Sequence, residues 1–438
     1  MGSSGTDRAS SFTEKALSAA CPDLREGEPA DAIDGVVPSF VASPADTAEA
    51  AALLRAAAEH DLAVVPRGAG SRLGWGIPPS RCDLVVDMLR MGSVLEHAAG
   101  DLVARVQAGA RMGAIAETLA GAGQEIALDV PDQATAGGIV ASGLTGPRRL
   151  RYGTPRDLLI GITVVRADGT VAHSGGKVVK NVAGYDLGKL LAGSWGTLGL
   201  ITEATFRLHP LPAARTFVTA SVAGPEAAGS RAAAGAVAAA ASSPLVASAV
   251  EVSRAGSGEP FRVGVLLEGS ADGVAARAER MAGLLGGSAP PAAASVSASV
   301  SAEAPDWWPR SPEPGEGTLI QVSFWVSALG GVLDAVEKAS RAADVRPAIS
   351  GPAGAGAVHL SLGPDTAPEA AARLVGALRD GHARGSVVVL AAPAPVRAEL
   401  RGHGGMNGKV PSLRLMRAVK DQFDPGGRLS PGRFPEGI

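Results

Sequence analysis

The spacing of hydrophobic residues changes near residue 212 and divides the chain into two parts. In the first part, short apolar runs alternate with glycine-rich turns, which is typical of strands joined by loops. The predicted strands cover residues 62–65, 84–88, 102–108, 158–166, 171–174 and 198–208. Helices are predicted at 45–60, where Ser43 can cap the first turn, and at 112–120. Pro210 and Pro212 then mark a boundary.

The second part alternates helices with strands and therefore predicts an α+β fold. Apolar residues recur with helical spacing at 274–285, 332–339 and 367–378, and shorter apolar runs predict strands at 261–267, 319–326, 358–362 and 387–391. Residues 286–317 are rich in Ala, Ser and Pro, and this composition predicts a long mobile loop. A last helix is expected at 413–423.

Composition limits the classes of protein that remain. Of 438 residues, 46% are hydrophobic and 19% are charged, which is the balance of a folded globular protein. The net charge of −3 gives no electrostatic basis for binding nucleic acid. Cys21 and Cys82 are too few for a disulfide framework or for an iron–sulfur cluster held by this chain. Neither a membrane-spanning run nor a signal peptide is recognisable, so we expect a cytoplasmic protein.

A glycine-rich stretch, residues 66–74, directly follows the first predicted strand. Its backbone amides could surround a diphosphate, because glycine permits positive φ and close approach of a ligand. The glycines at 68, 70 and 74 do not have the spacing of a dinucleotide-binding fingerprint, and the following Trp75-Gly-Ile-Pro-Pro sequence cannot begin a helix. Taken alone, this stretch could also be a glycine-rich surface turn.

Further glycine-rich segments follow within about 140 residues of the first one. They are Thr-Ala-Gly-Gly at 135–138, Arg-Tyr-Gly at 151–153, Gly-Tyr-Asp-Leu at 184–187 and Gly-Ser-Trp-Gly-Thr-Leu-Gly-Leu-Ile-Thr at 193–202. Several such segments next to strands suit one extended ligand that lies along loop backbones. A nicotinamide-dependent enzyme of the Rossmann type is excluded by the glycine spacing.

In this order, the motifs resemble the FAD-binding domain of the vanillyl-alcohol oxidase/p-cresol methylhydroxylase (PCMH) superfamily. The sequence Phe-Asp-Pro-Gly-Gly-Arg-Leu-Ser-Pro-Gly at 423–432 is similar to the FDPxGxLNPG ending of that superfamily, with Ser430 in place of Asn. Within it, residues 142–149, residues 178–187 and Trp195 are most similar to the FAD-binding subunits of bacterial glycolate oxidases. The larger glycolate oxidase subunit and D-lactate dehydrogenases usually carry Glu where Trp195 stands.

The resemblance implies an arrangement of domains. A PCMH-type FAD-binding domain with two subdomains is expected at 35–212, after an N-terminal segment at 1–34. A cap or substrate domain of α+β type, with an antiparallel sheet, is expected at 213–398. The C-terminal segment, 399–438, is expected to return to the FAD domain.

The resemblance also implies bound FAD and a set of residues that contact it. The pyrophosphate is expected on the backbone amides of residues 67–72, and Ile201 is expected to meet the adenosine part. Some relatives attach the flavin covalently through a histidine, and Ser71 stands at that position, so non-covalent FAD is expected. The full set of expected FAD contacts is Pro66, Arg67, Gly68, Ala69, Gly70, Ser71, Arg72, Asp132, Thr135, Gly137, Gly138, Ser142, Gly143, Tyr152, Gly153, Gly196, Gly199 and Ile201.

Oxidation of a 2-hydroxy acid needs a cation for the substrate carboxylate and a base for its hydroxyl proton. The candidate catalytic residues are Tyr185, Arg151 and His359, and other candidate cations are Arg148, Arg149 and Lys180. A solvated basic face next to a loop would also explain the cations. A surface histidine or one with satisfied hydrogen bonds would explain His359, and packing alone would explain Tyr185. The histidine-rich metal motif of the larger subunit is absent from the sequence, so no metal site is expected.

Two functions remain open from the sequence. The chain could oxidise glycolate or a related 2-hydroxy acid, and then pass electrons to an iron–sulfur subunit in a complex that also contains a larger flavin-type subunit. Alternatively, it could be a non-catalytic FAD-binding subunit of such a complex, attached to a membrane only through its partners. The missing histidine motif and Ser430 favour the second function, whereas the intact first glycine-rich loop favours the first.

Overall fold

The computed structural model of the chain describes residues 4–176, 186–287, 295–308, 316–381 and 385–438. The chain divides into two compact units. The first unit contains Met1–Leu144, Thr154–Leu211 and Val410–Ile438, and the second contains Thr145–Gly153 and Pro212–Lys409. Residues 145–153 therefore belong to the second unit, although the sequence placed them inside the first domain. Residues 399–409, expected in the C-terminal segment, also belong to the second unit.

The described strands are β1 (Leu24–Glu26), β2 (Phe40–Ala42), β3 (Val64–Arg67), β4 (Leu84–Asp87), β5 (Val94–Ala98), β6 (Val103–Gln107), β7 (Gln124–Glu125), β8 (Leu159–Val165), β9 (Val171–Gly175), β10 (Leu200–Arg207), β11 (His209–Pro210), β12 (Ala214–Ala223), β13 (Ala249–Arg254), β14 (Phe261–Gly269), β15 (Ser295–Ser301), β16 (Thr318–Ser323), β17 (Ala348–Gly351), β18 (Ala357–Leu362) and β19 (Ser386–Ala391). The described α-helices are α1 (Ser4–Ala20), α2 (Thr47–Glu59), α3 (Met112–Ala120), α4 (Ala136–Ser142), α5 (Arg149–Tyr152), α6 (Pro155–Leu158), α7 (Glu226–Ser242), α8 (Ala271–Gly286), α9 (Leu329–Ala343), α10 (Pro368–Gly381), α11 (Ala394–Leu400) and α12 (Leu413–Phe423).

The first unit contains two larger sheets among its described residues. One has the order β1-β2-β4-β3, in which β4 runs parallel to β2 and to β3. The other is antiparallel, with the order β5-β6-β10-β8-β9. Helix α2 connects β2 to β3, which run in the same direction on either side of β4, and parallel strands need a crossover connection of this kind. The carboxylate of Asp46, rather than the predicted Ser43, caps this helix by accepting hydrogen bonds from the amides of Ala48 and Glu49.

The C-terminal segment pairs with the end of the first sheet. The Val64 amide donates to the Arg428 carbonyl (2.8 Å), and the Ser430 amide donates to the Val64 carbonyl (2.8 Å). Leu429 forms a parallel bridge with Val64. Residues 428–430 therefore lie beside β3, which leads into the glycine-rich stretch.

The second unit is built on an eight-stranded antiparallel sheet with the order β15-β12-β14-β13-β17-β18-β16-β19 among the described strands. Helix α8 packs against β12 and β15, α7 packs against β13 and β14, and α10 packs against β19. Buried apolar side chains such as Val274 and Met281 of α8 and Leu374 of α10 contribute to this helical layer. Burial of these apolar surfaces stabilises the unit.

The strand register places a series of polar residues on one face of this sheet. Arg215 of β12 pairs directly with Glu268 of β14, and directly paired residues point to the same side. Because side chains alternate along a strand, the same face continues by two-residue steps to Ser253 of β13. Ser253 pairs with Ser350 of β17, which pairs with His359 of β18, so both of these residues lie on the same face of the sheet.

The prediction of a loop at 286–317 is wrong for residues 295–301. These residues form β15, which pairs with β12 from Ser301 opposite Phe217 to Ser295 opposite Ala223. The alternation in Ser-Val-Ser-Ala-Ser-Val-Ser has the two-residue period of a strand, but the Ala/Ser composition concealed it. The parts of the predicted loop at 288–294 and 309–315 lie outside the described residues.

Candidate functional site

The first unit contains a cavity lined by several of the glycine-rich segments. Its empty volume is about 860 Å³, a figure that includes space open to solvent. The segments that line it are contributed by the loop after β3, by α4 and the residues on either side of it, by the turn before β10 and by the C-terminal segment. The lining residues are Val65, Pro66, Gly68, Ala69, Gly70, Ser71, Arg72, Leu73, Met88, Ala108, Ala134, Thr135, Gly137, Gly138, Ile139, Ala141, Ser142, Leu144, Trp195, Gly196, Gly199, Leu200, Ile201 and Arg433.

The loop after β3 needs glycine at two positions. Gly70 has φ +77°, a conformation that side-chain-bearing residues rarely adopt. A Cβ atom on Gly68 would lie 2.2 Å from Oγ1 of Thr135, which precedes α4. That hydroxyl caps α4 by accepting a hydrogen bond from the Gly138 amide (3.3 Å). The two glycines thus let the loop turn sharply and approach the start of α4 closely.

The turn before β10 forms another part of the cavity wall. Trp195 has φ +55°, which is unusual for a bulky side chain, and its amide donates to the Ala141 carbonyl (2.9 Å). The Trp195 ring lies 6.4 Å from the Trp75 ring, and the guanidinium of Arg72 lies 4.6 Å from the centre of the Trp75 ring. Aromatic and basic side chains therefore lie next to the glycine-rich backbone.

The cavity is positively charged. Arg72 and Arg433 are its charged lining residues, and no Asp or Glu lines it among the residues that the structure describes. Burial lowers the pKa of Arg433, which donates from Nη2 to the carbonyl oxygen of Trp75 (2.9 Å). A diphosphate requires positive charge and several N–H donors, so this lining fits the phosphate part of FAD. Sequence reasoning missed Arg433, whose signal was its position directly after the C-terminal motif.

Most of the residues expected to contact FAD line this cavity, but five do not. Gly143 follows α4 just outside the lining. Asp132 lies next to Gly113, where its carbonyl oxygen accepts from the Gly113 amide (2.9 Å). Tyr152 and Gly153 belong to the second unit, and Arg67 has carboxylate partners that are described next.

Arg67 is held by two carboxylates in the first unit. Its Nη1 donates to Asp31 (3.0 Å), and its Nε (3.1 Å) and Nη2 (2.9 Å) donate to Asp87. Hydrogen bonds from Arg25, from the Glu28 amide and from Arg67 hold the pKa of Asp31 well below its usual range. The charge of Arg67 is therefore balanced by carboxylates within the protein. Arg67 is for that reason a weaker candidate than Arg433 for binding an anionic ligand.

A second group of polar residues lies on the sheet face of the second unit. Glu268 is buried, and its carboxylate accepts from Tyr152 Oη (3.0 Å), Arg148 Nη1 (3.4 Å) and Arg215 Nε (3.0 Å). Burial and the charge of Glu268 raise the pKa of Tyr152. Glu268, which the sequence did not single out, thus attaches residues 145–153 to the sheet.

The structure places two of the three candidate catalytic residues in the second unit. Arg151 is exposed, and its Nη1 reaches Oγ of Ser248 (3.5 Å). His359 is buried, and burial together with the charge of Arg149 lowers its pKa to about 4. The third candidate, Tyr185, lies outside the described residues, as does the candidate cation Lys180.

Two features are absent from the described residues. No three His, Cys, Asp or Glu side chains in the described ranges come together in a group that could hold a metal ion. Within those same ranges, no helix has both the length and the apolar character needed to cross a membrane.

Part of this chain matches a family of known proteins. Residues 38–175 match the family model described as FAD binding domain. Glycolate oxidase subunit GlcD of Bacillus subtilis is 38% identical over 178 residues, which cover 40% of this chain and 38% of that protein. Glycolate oxidase subunit GlcE of Escherichia coli is 36% identical over 154 residues, which cover 34% of this chain and 43% of that protein. D-lactate dehydrogenase of Archaeoglobus fulgidus is 37% identical over 175 residues, which cover 39% of this chain and 38% of that protein. The matched part thus spans about two fifths of each relative.

Solved structures resemble nearly the whole chain. The 4-ethylphenol oxidase from Gulosibacter chungangensis has a TM-score of 0.74 at 15% identity, covering 99% of both chains. The p-cresol methylhydroxylase structure has a TM-score of 0.70 at 16% identity, covering 97% of this chain and 96% of the other. At such identities the likeness shows the fold alone, and it confirms the predicted PCMH-type α+β fold. The family match confirms the prediction of FAD as the cofactor.

Proposed function

We propose that this chain, a member of the FAD-binding domain family through residues 38–175, is an FAD-dependent oxidoreductase subunit that oxidises glycolate or a related 2-hydroxy acid. The proposal includes a complex with a larger flavin-type subunit and an iron–sulfur subunit that receives the electrons. It is supported by the identities to GlcD, GlcE and a D-lactate dehydrogenase. Each of these relatives is matched over only about two fifths of its length, so their activities are carried over here as proposals.

The observation that carries the proposal is the cavity of the first unit. Its walls combine glycine-rich backbone with two arginines, and no carboxylate lines it among the described residues. A bound diphosphate would receive backbone N–H donors from residues 68–72 and charge from the arginines. Ser71 cannot form the histidyl bond to a flavin, so FAD would be held non-covalently.

The residues proposed for the reaction bind the substrate and handle its proton. FAD, when bound, accepts the two electrons that the substrate loses. The exposed guanidinium of Arg151 would bind the substrate carboxylate by charge-assisted hydrogen bonds. His359, whose low pKa keeps its ring neutral near pH 7, would accept a hydrogen bond from the substrate hydroxyl. Tyr185 remains a proposed partner for a substrate oxygen.

A second function is favoured by a specific observation. The sequence lacks the histidine-rich motif of the larger subunit and has Ser430 where the superfamily ending has Asn. The chain could therefore bind FAD without oxidising a substrate itself, and support the complex in which the larger flavin subunit reacts.

An anaerobic titration separates the two functions. The full chain is purified without added flavin, its visible spectrum is recorded, and glycolate or D-lactate is added in the absence of oxygen. Bleaching of the flavin by either acid supports an oxidoreductase. Flavin that is bleached by dithionite but by neither acid supports the non-catalytic subunit, and absence of any flavin after reconstitution with FAD contradicts both functions.

A further inference from the structure

Arg433 is a buried cation with an incomplete set of hydrogen bonds. It is 5% exposed, and its Nη2 donates to the carbonyl oxygen of Trp75 (2.9 Å). Its Nη1 is buried and has no hydrogen-bond partner. A guanidinium carries five N–H donors in a fixed plane, so an unpaired Nη1 leaves two donors unsatisfied inside the protein.

The charge of Arg433 also has no ion-pair partner among the described residues. Among the described residues, the carboxylate that acts on it is that of Asp34, and its effect is through space. Burial lowers its pKa, which shows the cost of removing this charge from water. A guanidinium nevertheless remains protonated at physiological pH. A buried charge without a partner is strongly destabilising, so an anion is needed here to compensate it.

The position of Arg433 indicates which anion this is. The side chain lines the same cavity as the glycine-rich loop 68–72, and it is held against Trp75, three residues beyond that loop. We propose that Arg433 pairs through Nη1 with the diphosphate of FAD. The inference rests on the FAD site proposed above, and it gives the C-terminal segment a direct role in cofactor binding.

A role in ligand binding and a purely structural role predict opposite effects on the apo protein. In an Arg433→Met variant the unpaired charge is gone, so we expect the thermal midpoint of the FAD-free full chain to be unchanged or higher. The affinity for FAD, measured by flavin fluorescence, is expected to fall about 10- to 100-fold, the effect of losing a charged hydrogen bond. Arg417→Met, which removes an exposed arginine of the same segment, is the matched control and should change neither quantity.

Ligand fragments distinguish the diphosphate from the flavin ring. If Arg433 contacts the diphosphate, Arg433→Met weakens binding of ADP by a similar factor and leaves binding of riboflavin unchanged. Weaker riboflavin binding with normal ADP binding would overturn the proposal in favour of a contact with the ring. A lowered apo midpoint with unchanged FAD affinity would show that Arg433 acts only through its bond to Trp75.

Arg433→Lys keeps the experiment informative if the Met variant does not fold. Lysine retains the charge but loses the planar fork, so we expect an intermediate loss of FAD affinity. FAD affinity equal to that of the parent chain in both variants would contradict the inference. A parent chain that does not bind FAD at all would instead contradict the proposed function, and the two failures are thereby distinguishable.

Discussion

At the scale of single residues, the cavity depends on the backbone conformation of Gly70. In a Gly70→Ala variant the positive φ becomes strained by about 1–2 kcal/mol, so the loop relaxes and its amides turn away from the cavity. We expect FAD affinity to fall about 5- to 30-fold, measured by titration of the apo protein. Gly74→Ala is the control, because Gly74 lies in the same loop region, has no positive φ, and has open space where the Cβ of alanine would lie. Equal affinity in the two variants would mean that the diphosphate does not lie on this loop.

His359 provides a second test at this scale, through the pH dependence of stability. Its pKa in the folded chain is about 4, below the ordinary value of 6.5, because the ring is buried and Arg149 is near. Between these pH values the unfolded chain binds a proton that the folded chain does not, so stability decreases as the pH falls. This one group makes the second unit about 2 kcal/mol less stable at pH 5 than at pH 7. Urea unfolding at the two pH values measures the difference.

The His359→Gln variant should lose most of that pH dependence, because glutamine does not titrate. His403→Gln is the matched control, since His403 is exposed, and it should keep the dependence of the parent chain. Further loss of stability below pH 4 is expected in all three proteins, because the unfolded chain then binds a proton at Asp31 that the folded chain, in which the pKa of this carboxylate is depressed, does not bind. An unaltered difference between pH 7 and pH 5 in His359→Gln would assign the effect to other groups.

At the scale of elements, α12 is held in the first unit by one buried lysine. Nζ of Lys420 donates to the carbonyls of Thr197 (2.8 Å) and Leu429 (2.8 Å) and to the carboxylate of Asp424 (2.6 Å). Lys420→Met leaves the fully buried Asp424 charge without its cation, which costs about 3–5 kcal/mol of unfolding free energy. Denaturant unfolding measures this loss. The double variant Lys420→Met/Asp424→Asn should lose less than the single variant, and an equal loss would exclude the ion pair as the cause.

The elements that the sequence predicted well are those whose periodicity is local. The strand at 62–65 and the helix at 45–60 appear as β3 and α2. A buried apolar run predicts the strand and an amphipathic repeat predicts the helix, and each pattern can be recognised from neighbouring residues alone. Residues 145–153 could not be assigned to the second unit in this way. Their place depends on the bonds of Arg148 and Tyr152 to Glu268, which is distant in sequence, and such pairings leave no local pattern. Arg433 directly follows the C-terminal motif, but its bond to Trp75, which is 358 residues away, likewise leaves no local pattern.

At the scale of the whole molecule, the small number of cysteines limits which redox centre could accept electrons from the flavin. Cys21 and Cys82 are both buried. Burial raises the pKa of Cys82 to about 12 and raises that of Cys21 as well, so both are neutral thiols near pH 7. Iron–sulfur clusters are held by sets of cysteine thiolates, usually four, and the full sequence has two cysteines. We therefore propose that electrons that enter the flavin leave through another molecule.

This expectation is tested by removing both thiols. The chain purified without oxygen should contain no iron by metal analysis, and a Cys21→Ala/Cys82→Ala variant should keep the flavin spectrum of the parent chain. Dithionite-reduced flavin should be reoxidised by a soluble one-electron acceptor at the same rate in both proteins, because neither thiol takes part in the transfer. Loss of the two sulfur atoms should lower stability by only about 1–2 kcal/mol, since each leaves a small cavity. Stoichiometric iron in the parent chain, or slower reoxidation in the variant, would place a second redox centre within this chain and remove the need for an iron–sulfur partner.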